Sequence, residues 1–479
     1  MSHHAIPETG NQYRDTVSLV DKKTGDRQWV YPKKPKGRLY QWRSLVGWLL
    51  MGGLFLGPFL EYQNHPLFLF HVLERKFIFF GIPFWPQDLP LFALLMVTFI
   101  VFIIVFTVLF GRIWCGWACP QTIFMEMLFR KIEYWIEGDF KQQEKLDEQA
   151  WNFQKIFKKS SKHFIFFSLA VIIANSFLSY LIGWKSVKLL ISEGPANHLG
   201  PFIALLVFAT AFYFVFAKIR EIVCVVICPY GRLQGLMLDK NSIVVAYDHV
   251  RGEPRGMQKK NETKSLGECV DCYRCVQVCP TGIDIRNGTQ LECINCTACI
   301  DECDDVMTRM KKDTGLIKYA SKEQIEQGTK SRLTGRSKSY IILLIFLLAN
   351  LIFFLSTRHP IDATFLRTPG MLYQTQDHDL ISNMYNFEVI NKTFDSCTIE
   401  FKLLEPQNAE IRMVDRPSLI NSLSEDDILK GSFFILINKN NILKNNTPAK
   451  IQVLRNGIEM EIIKTNFIGP VNINKNEKI

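Results

Sequence analysis

The chain has 479 residues, 48% of them hydrophobic and 13% aromatic, and a formal charge of +10; that length exceeds one ordinary domain and points to about three. Mean hydropathy is slightly positive at +0.06 although 21% of the residues are charged, so the apolar residues must be gathered into blocks. The basic residues flank those blocks or lie between them, the pattern of a membrane protein obeying the positive-inside rule, and this placement excludes nucleic acid as the reason for the charge.

In chain order, the first 40 residues are polar and contain no signal-peptide apolar core. A spanning helix needs about 20 apolar residues, and five segments supply them: 44–60, 89–110, 164–183, 201–217 and 339–356. The second is the clearest, since Thr98 and Thr107 are its only polar residues from 91 to 110. Lys and Arg number eight in residues 1–40, two in 61–88, nine in 111–163 and two in 184–200. The alternation predicts a cytoplasmic N-terminus, a cytoplasmic 111–163 loop and a cytoplasmic connection between the fourth and fifth spans. The expected domains are therefore a cytoplasmic segment at 1–40, a four-span membrane domain at 41–217, a cytoplasmic segment at 218–338, a fifth span at 339–356 and a periplasmic domain at 357–479. The expected location is the inner membrane of a Gram-negative cell, crossed several times.

The tail reads as all-β. Residues 387–390, 397–404, 432–437 and 451–454 concentrate β-branched and aromatic side chains, and Asn456-Gly457 is a strong hairpin signal. Strands at this spacing suit a small immunoglobulin-like sandwich, and nothing in it looks catalytic. Glu61, His65, His71 and Glu74 share the first loop and read as solvated residues rather than a metal set. The nine histidines fall outside the apolar segments, which argues against a membrane b-type haem. No glycine-rich nucleotide motif is present.

Eight of the 13 cysteines lie between Cys269 and Cys303. Cys269, Cys272, Cys275 and Cys279, followed by Pro280, form one run; Cys293, Cys296, Cys299 and Cys303 form the second. This is the spacing of bacterial two-cluster ferredoxins, in which the fourth Cys of each run reaches the other cluster. The expected ligand sets are Cys269, Cys272, Cys275 and Cys303 for one [4Fe–4S] cluster, and Cys293, Cys296, Cys299 and Cys279 for the other. Asp304 stands where Pro is usual after the second run. Zinc takes four ligands per ion and has no use for the repeated third and fourth cysteines.

Two further pairs, Cys115-x3-Cys119-Pro120 and Cys224-x3-Cys228-Pro229, end the second and fourth spans. On one helix each pair would share a face, with proline ending or kinking the helix. Matching flanks, Arg112 and Arg220 before the pairs, suggest a repeat of helix hairpins. Four thiols would then converge near the cytoplasmic surface. Soft thiolates select Cu(I), zinc or iron–sulfur clusters, whereas Met125, Met127 and Met237 nearby read as packing.

The stretch from Gly111 to Thr122, the run Cys228-Pro229-Tyr230-Gly231-Arg232-Leu233-Gln234, the stretch from Cys279 to Arg286, and Cys299 to Asp304 together resemble the cytochrome c oxidase accessory proteins called CcoG, FixG or RdxA. The resemblance runs from about residue 30 to the end. It implies a multi-domain architecture: an α-helical membrane bundle of about five spans, a two-[4Fe–4S] ferredoxin-like α+β insert and a C-terminal immunoglobulin-like β-sandwich. It also implies a cupric reductase serving assembly of the cbb3-type oxidase, with copper handled near Cys115, Cys119, Cys224 and Cys228. Expected partners are membrane lipid, an electron donor, a copper transporter or chaperone and oxidase subunits, with self-association left open and no nucleic acid. Two rival readings remain at this stage: an electron-transfer subunit of a quinol-oxidising system, and a non-enzymatic assembly scaffold.

Overall fold

The computed structural model describes residues 29–470 except 63, 73–75, 86–87, 257–265, 329–332, 377–378, 415–419, 425–426 and 443–444. The chain divides into two units: residues 1–58 with 92–351, and residues 59–91 with 352–479.

In the first unit, helix α1 (Arg38–Leu56) follows Gly37. The first N–H groups of a helix have no partner inside it, and here two of them find one far along the chain. Leu39 and Tyr40 donate their backbone N–H to the two carboxylate oxygens of Asp301, at 3.1 and 2.8 Å. A Cβ on Gly37 would lie 2.3 Å from Asp301 Cγ, and its φ of +142° is one that other residues rarely adopt. Helix α2 (Leu89–Phe110) is apolar throughout, and its hydroxyls from Thr98 and Thr107 return to the carbonyls of Leu94 and Ile103, each at 2.7 Å. That satisfies them without water. Helix α3 (Phe153–Ile182) starts with Asn152 accepting the Lys155 N–H and stops at Gly183, φ 82°. Helix α4 (Leu199–Phe214) continues through a π-helical turn to Ile219.

Among the described residues, helices α2, α3, the α4 segment to Ile219, and Gly335–Ser356 are the four long and apolar enough to cross a membrane. The expected first span exists as α1, yet its 19 residues include Arg38 and Arg43, so it is not one of them by composition. Its outward face is nonetheless apolar, with Trp42, Trp48, Leu49 and Leu56 exposed. Helix α3 begins ahead of the apolar segment 164–183 and takes in His163, whose ring nitrogen bonds the Tyr213 hydroxyl at 2.9 Å. The helices meet through aromatic rings: Phe129 stacks on Phe216 at 4.7 Å and meets Phe166 edge-on at 4.8 Å.

After α4 the chain forms helix α5 (Pro229–Met237) and then a small α+β module. Strand β1 (Val244–Tyr247) pairs antiparallel with β2 (Ile317–Ala320). Both cysteine runs lie between these strands, and helix α6 (Ala298–Arg309) carries Cys299 and Cys303. Helix α7 (Gly335–Ser356) then leaves the module.

The second unit is a β-sandwich. Its strands are β3 (Ile361–Arg367), β4 (Gln374–Gln376), β5 (Leu380–Asn391), β6 (Cys397–Glu405), β7 (Ala409–Met413), β8 (Ile420–Leu423), β9 (Ile428–Asn438), β10 (Asn446–Arg455) and β11 (Ile458–Ile468). One sheet runs β7-β9-β5-β3 with β4 beside β5, and the other runs β8-β6-β10-β11. Asn456 and Gly457, at φ 49° and 79°, make the expected hairpin between β10 and β11. Alternate residues of both sheets meet in a core that includes Phe387, Phe401, Phe433, Ile451 and Val453. Cys397 is buried in this core as a small apolar side chain.

The loop expected at 61–88 belongs to this unit, which takes in residues 59–91. They form a three-stranded sheet (Phe68–His71, Lys76–Phe79, Ile82–Phe84). Asp88 at their end accepts from Arg358 at 2.6 Å and Lys392 at 2.7 Å. The His65 ring stacks on Phe394 at 3.9 Å. Glu74 lies outside the described residues.

Candidate functional site

The two cysteine runs fold alike. Asp271 and Tyr273 in the first have φ of 54° and 56°, and Asn295 and Thr297, at the matching positions of the second, have 53° and 67°. Left-handed residues between right-handed ones turn successive N–H groups into a concavity. One cavity is lined by Cys269, Cys272, Cys275 and Cys303, and a second by Cys279, Cys293, Cys296 and Cys299, with Cys275 bordering both. These are the two quartets that the motif spacing names. Burial pushes the Cys303 and Cys293 thiols up to about 12 and the Cys296 thiol up to about 11. No cysteine is in a disulfide, and among the described residues no three His, Cys, Asp or Glu side chains come close enough to share one metal ion. Thiols that ring a space rather than meet at a point fit a cubane, whose four irons take one thiolate each, and not a tetrahedral zinc.

The membrane-edge pairs do not lie along one helix face as expected. Cys115 sits in a short helix, Ile113–Trp117, and Cys119 precedes the next, Pro120–Ile123. Likewise Cys224 sits in a π-helical turn, Val223–Ile227, and Cys228 precedes α5. Each proline opens a helix as its first residue, where its missing N–H costs nothing, instead of ending one. The backbone repeats: Cys119 N–H bonds the Trp114 carbonyl at 2.9 Å, and Cys228 N–H bonds the Val223 carbonyl at 2.7 Å. The four thiols are near enough to act on one another electrostatically, and burial raises Cys115 and pushes Cys224 up to about 12. The first pair also touches the ferredoxin-like module. Cys115 packs with Ile294 and Cys296 in one buried cluster. A Cβ on Gly116 would stand 2.4 Å from the Ile294 carbonyl oxygen, so only glycine allows this approach.

Comparison with known proteins places these features. Residues 219–322 match the 4Fe-4S dicluster domain, 92–141 a 4Fe-4S binding domain, and 351–470 the IG-like fold at the C-terminus of FixG. Protein RdxB of Cereibacter sphaeroides is 33% identical over 88% of this chain and 91% of its own length. The chain belongs to the FixG/RdxA family. Nitrogen fixation protein FixG of Rhizobium meliloti is 38% identical over 66% of this chain and 60% of its own, and protein RdxA of Cereibacter sphaeroides 33% over 76% and 79%. This FixG/RdxA-family chain is thus an iron–sulfur electron-transfer protein of the membrane.

Its site includes residues that motif reading passed over. Arg43, 2% exposed, donates Nε to the Gly116 carbonyl at 2.7 Å. Arg112 donates Nε to Gln234, Nη2 to the Gly231 carbonyl at 2.8 Å and Nη1 to the Cys293 carbonyl at 3.5 Å. The Gln234 amide lies 3.3 Å from Cys115 Sγ. Arg112 and Arg220 therefore differ in task despite their matched positions, because Arg220 turns instead to Glu133. That ion pair belongs to a buried chain of charges. Arg130 joins Glu126 at 3.0 Å and also Glu221; Lys162 joins Glu133 at 3.5 Å and Glu137 at 2.9 Å; Lys159 joins Glu137 at 3.0 Å. Burial would lift the Glu133 carboxyl, but Arg220 and Lys162 hold it below the ordinary carboxylate range. The sequence did not single out Arg43, which stands just before the apolar segment 44–60 and reads as one more flanking cation.

Proposed function

We propose that this membrane protein reduces Cu(II) to Cu(I) for assembly of a cbb3-type oxidase, with Cys115, Cys119, Cys224 and Cys228 receiving the metal. In this reading the sets Cys269, Cys272, Cys275, Cys303 and Cys279, Cys293, Cys296, Cys299 hold two [4Fe–4S] clusters, which when bound supply one-electron carriers. The observation that supports it most is that Cys115, a membrane-edge thiol, shares one buried cluster with Cys296 of the second quartet. Each copper takes one electron and no proton. The thiols surrounding it are soft donors that favour Cu(I) over Cu(II), and Cu(I) needs only two of them. Burial keeps Cys115 and Cys224 protonated until a cation arrives, so metal capture would expel protons.

In the same proposal the dicluster module faces the cytoplasm and the β-sandwich the periplasm, as the Lys and Arg distribution indicates. A cytoplasmic reductant feeds the module, and copper passes to a transporter or chaperone. The test is anaerobic. Full-length protein in detergent is reduced with dithionite and freed of excess, Cu(II) is added, and Cu(I) is trapped by a chromogenic chelator. Stoichiometric Cu(I) with bleaching of the reduced iron–sulfur signal is expected, and Ser at all four membrane-edge cysteines should abolish it. Copper reduction undiminished in that variant would remove these cysteines from the mechanism. Reduced centres indifferent to copper would transfer the reading to a quinol-linked subunit.

A further inference from the structure

The two quartets sit in one module, yet the charges around them differ. Beside the first, the Arg286 guanidinium is fully paired: Nε and Nη2 donate to the two oxygens of Asp284 at 2.8 and 2.7 Å, and Nη1 to Asp271 at 2.5 Å. Arg274, which also lines that cavity, is shared between Asp305 at 3.4 Å and Glu302 at 3.6 Å. Asp304 directly follows Cys303 and adds a carboxylate that accepts the Gly315 N–H at 2.8 Å. Carboxylates there match or outnumber the cations.

The second quartet has the opposite surroundings. Arg43 is buried against the Gly116–Ile294 contact, and its Nη1 and Nη2 have no hydrogen-bond partner among the described residues. Arg112 is 4% exposed and spends its donors on neutral acceptors: the Gln234 side chain and the carbonyls of Gly231 and Cys293. Among the described residues neither arginine has a carboxylate partner. Carboxylates whose fields reach this side include Glu126, already held by Arg130 at 3.0 Å, and Glu292. Lys131 adds further positive charge near Arg43.

We infer that Arg43 and Arg112 make the group held by Cys279, Cys293, Cys296 and Cys299 the higher-potential member of the pair, so that an electron delivered by a one-electron donor settles beside Cys115. The inference rests on reading both quartets as [4Fe–4S] ligands and not on copper. An added electron makes a cluster and its thiolates one unit more negative. A buried cation without a counter-charge stabilises that state strongly in a low-dielectric setting, whereas a cation paired with carboxylates is cancelled. One electron leaves the first quartet's group and one arrives at the second's, with no bond made and no proton moved. Arg43 and Arg112 are positioning residues that act on potential.

A potentiometric titration of full-length protein in detergent, with dithionite as reductant and EPR as readout, tests this without copper. Wild type should show two one-electron steps separated by at least tenfold in equilibrium constant, about 59 mV. Cys272→Ser, which alters a first-quartet ligand, should disturb the lower step. Arg43→Gln should move the upper step down by a comparable shift and leave the lower step in place, while Arg43→Lys retains the wild-type value and Asp304→Asn raises the lower step. If Arg43→Gln loses iron, Arg112→Gln carries the same expectation. Coincident steps in wild type would overturn the inference with no variant needed. So would an Arg43→Gln protein with full iron content and unchanged potentials. Absence of any [4Fe–4S] signal would instead sink the reading of the quartets, and this inference with it.

Discussion

At the scale of single residues, two glycines hold the site together. Gly116 lets the first cysteine pair lie directly on the Ile294–Asn295 backbone. Gly231 lets Arg112 pass, since a Cβ there would be 2.8 Å from its Nη2 and 2.5 Å from the Cys224 carbonyl oxygen. At both glycines the nearest obstacle is a backbone carbonyl oxygen, which cannot swing aside as a side-chain tip could. Gly116→Ala is expected to cost about 1–3 kcal/mol by overpacking, read as a fall in the thermal midpoint in detergent. Under the proposed function it should also slow copper reduction, because the Cys115 segment would be lifted off the Ile294–Asn295 backbone beside Cys296. An unchanged midpoint would mean that the contact is looser than it looks. The cysteine ligands themselves were legible from spacing, but these glycines were not. A glycine in a motif has no visible purpose until the backbone it approaches is known.

At the scale of elements, α1 is fastened from outside. Its leading N–H groups are capped by Asp301 from α6, so the helix that begins the membrane domain is tied to the helix that carries Cys299 and Cys303. Asp301→Ala should cost about 1 kcal/mol, the usual worth of a cap, and Asp301→Asn less, because one amide oxygen can still accept. Thermal unfolding of the two variants side by side tests the order. The buried charge chain offers a larger effect. Glu133→Gln leaves Arg220 without its carboxylate in a buried site, while Lys162 keeps Glu137, and breaking such a pair costs about 3–5 kcal/mol. A double-mutant cycle with Arg220→Gln should recover part of that loss; strict additivity would show the two residues to be uncoupled. Proline was read as an ending for both cysteine helices and proved to be a beginning. The physical reason is that proline fits the first helical position as well as the position after the last, and residue spacing alone does not distinguish them.

At the scale of the whole molecule, residues 59–91 and the C-terminal β-sandwich form one unit although about 260 residues separate them. Asp88 is the clearest fastening, between Arg358 and Lys392, and Lys392 also reaches Asp362 at 3.1 Å. Burial alone would raise the Asp88 carboxyl, but its bonds to Arg358 and Lys392 outweigh that and hold it below the ordinary value. A carboxyl lowered by folding contributes stability above its unfolded value, and the contribution is lost as pH falls through the folded value. Acidification below the ordinary carboxylate range should therefore loosen this unit. Asp88→Asn should cost about 1.5–3 kcal/mol at neutral pH and remove that part of the pH dependence. Limited proteolysis within 59–91, followed against pH in wild type and variant, would show it. Equal cleavage of the two proteins at neutral pH would contradict the assignment.

The sequence by itself determined the apolar blocks, the two cysteine runs and their crossed quartets, the Asn456-Gly457 hairpin and the β character of the tail. Each of these is written in local spacing, because helix and strand periods and the reach of a cubane are properties of a few neighbouring residues. Only the tertiary structure decided that Cys115 and Cys296 share one buried cluster, that Arg43 and Arg112 are buried with no carboxylate partner among the described residues, that Asp301 caps α1, and that the first loop joins the β-sandwich. These contacts link residues far apart in the chain. Nothing in the spacing of one segment records which distant segment will come to cover it. Burial and the pairing of charges are properties of the packed whole.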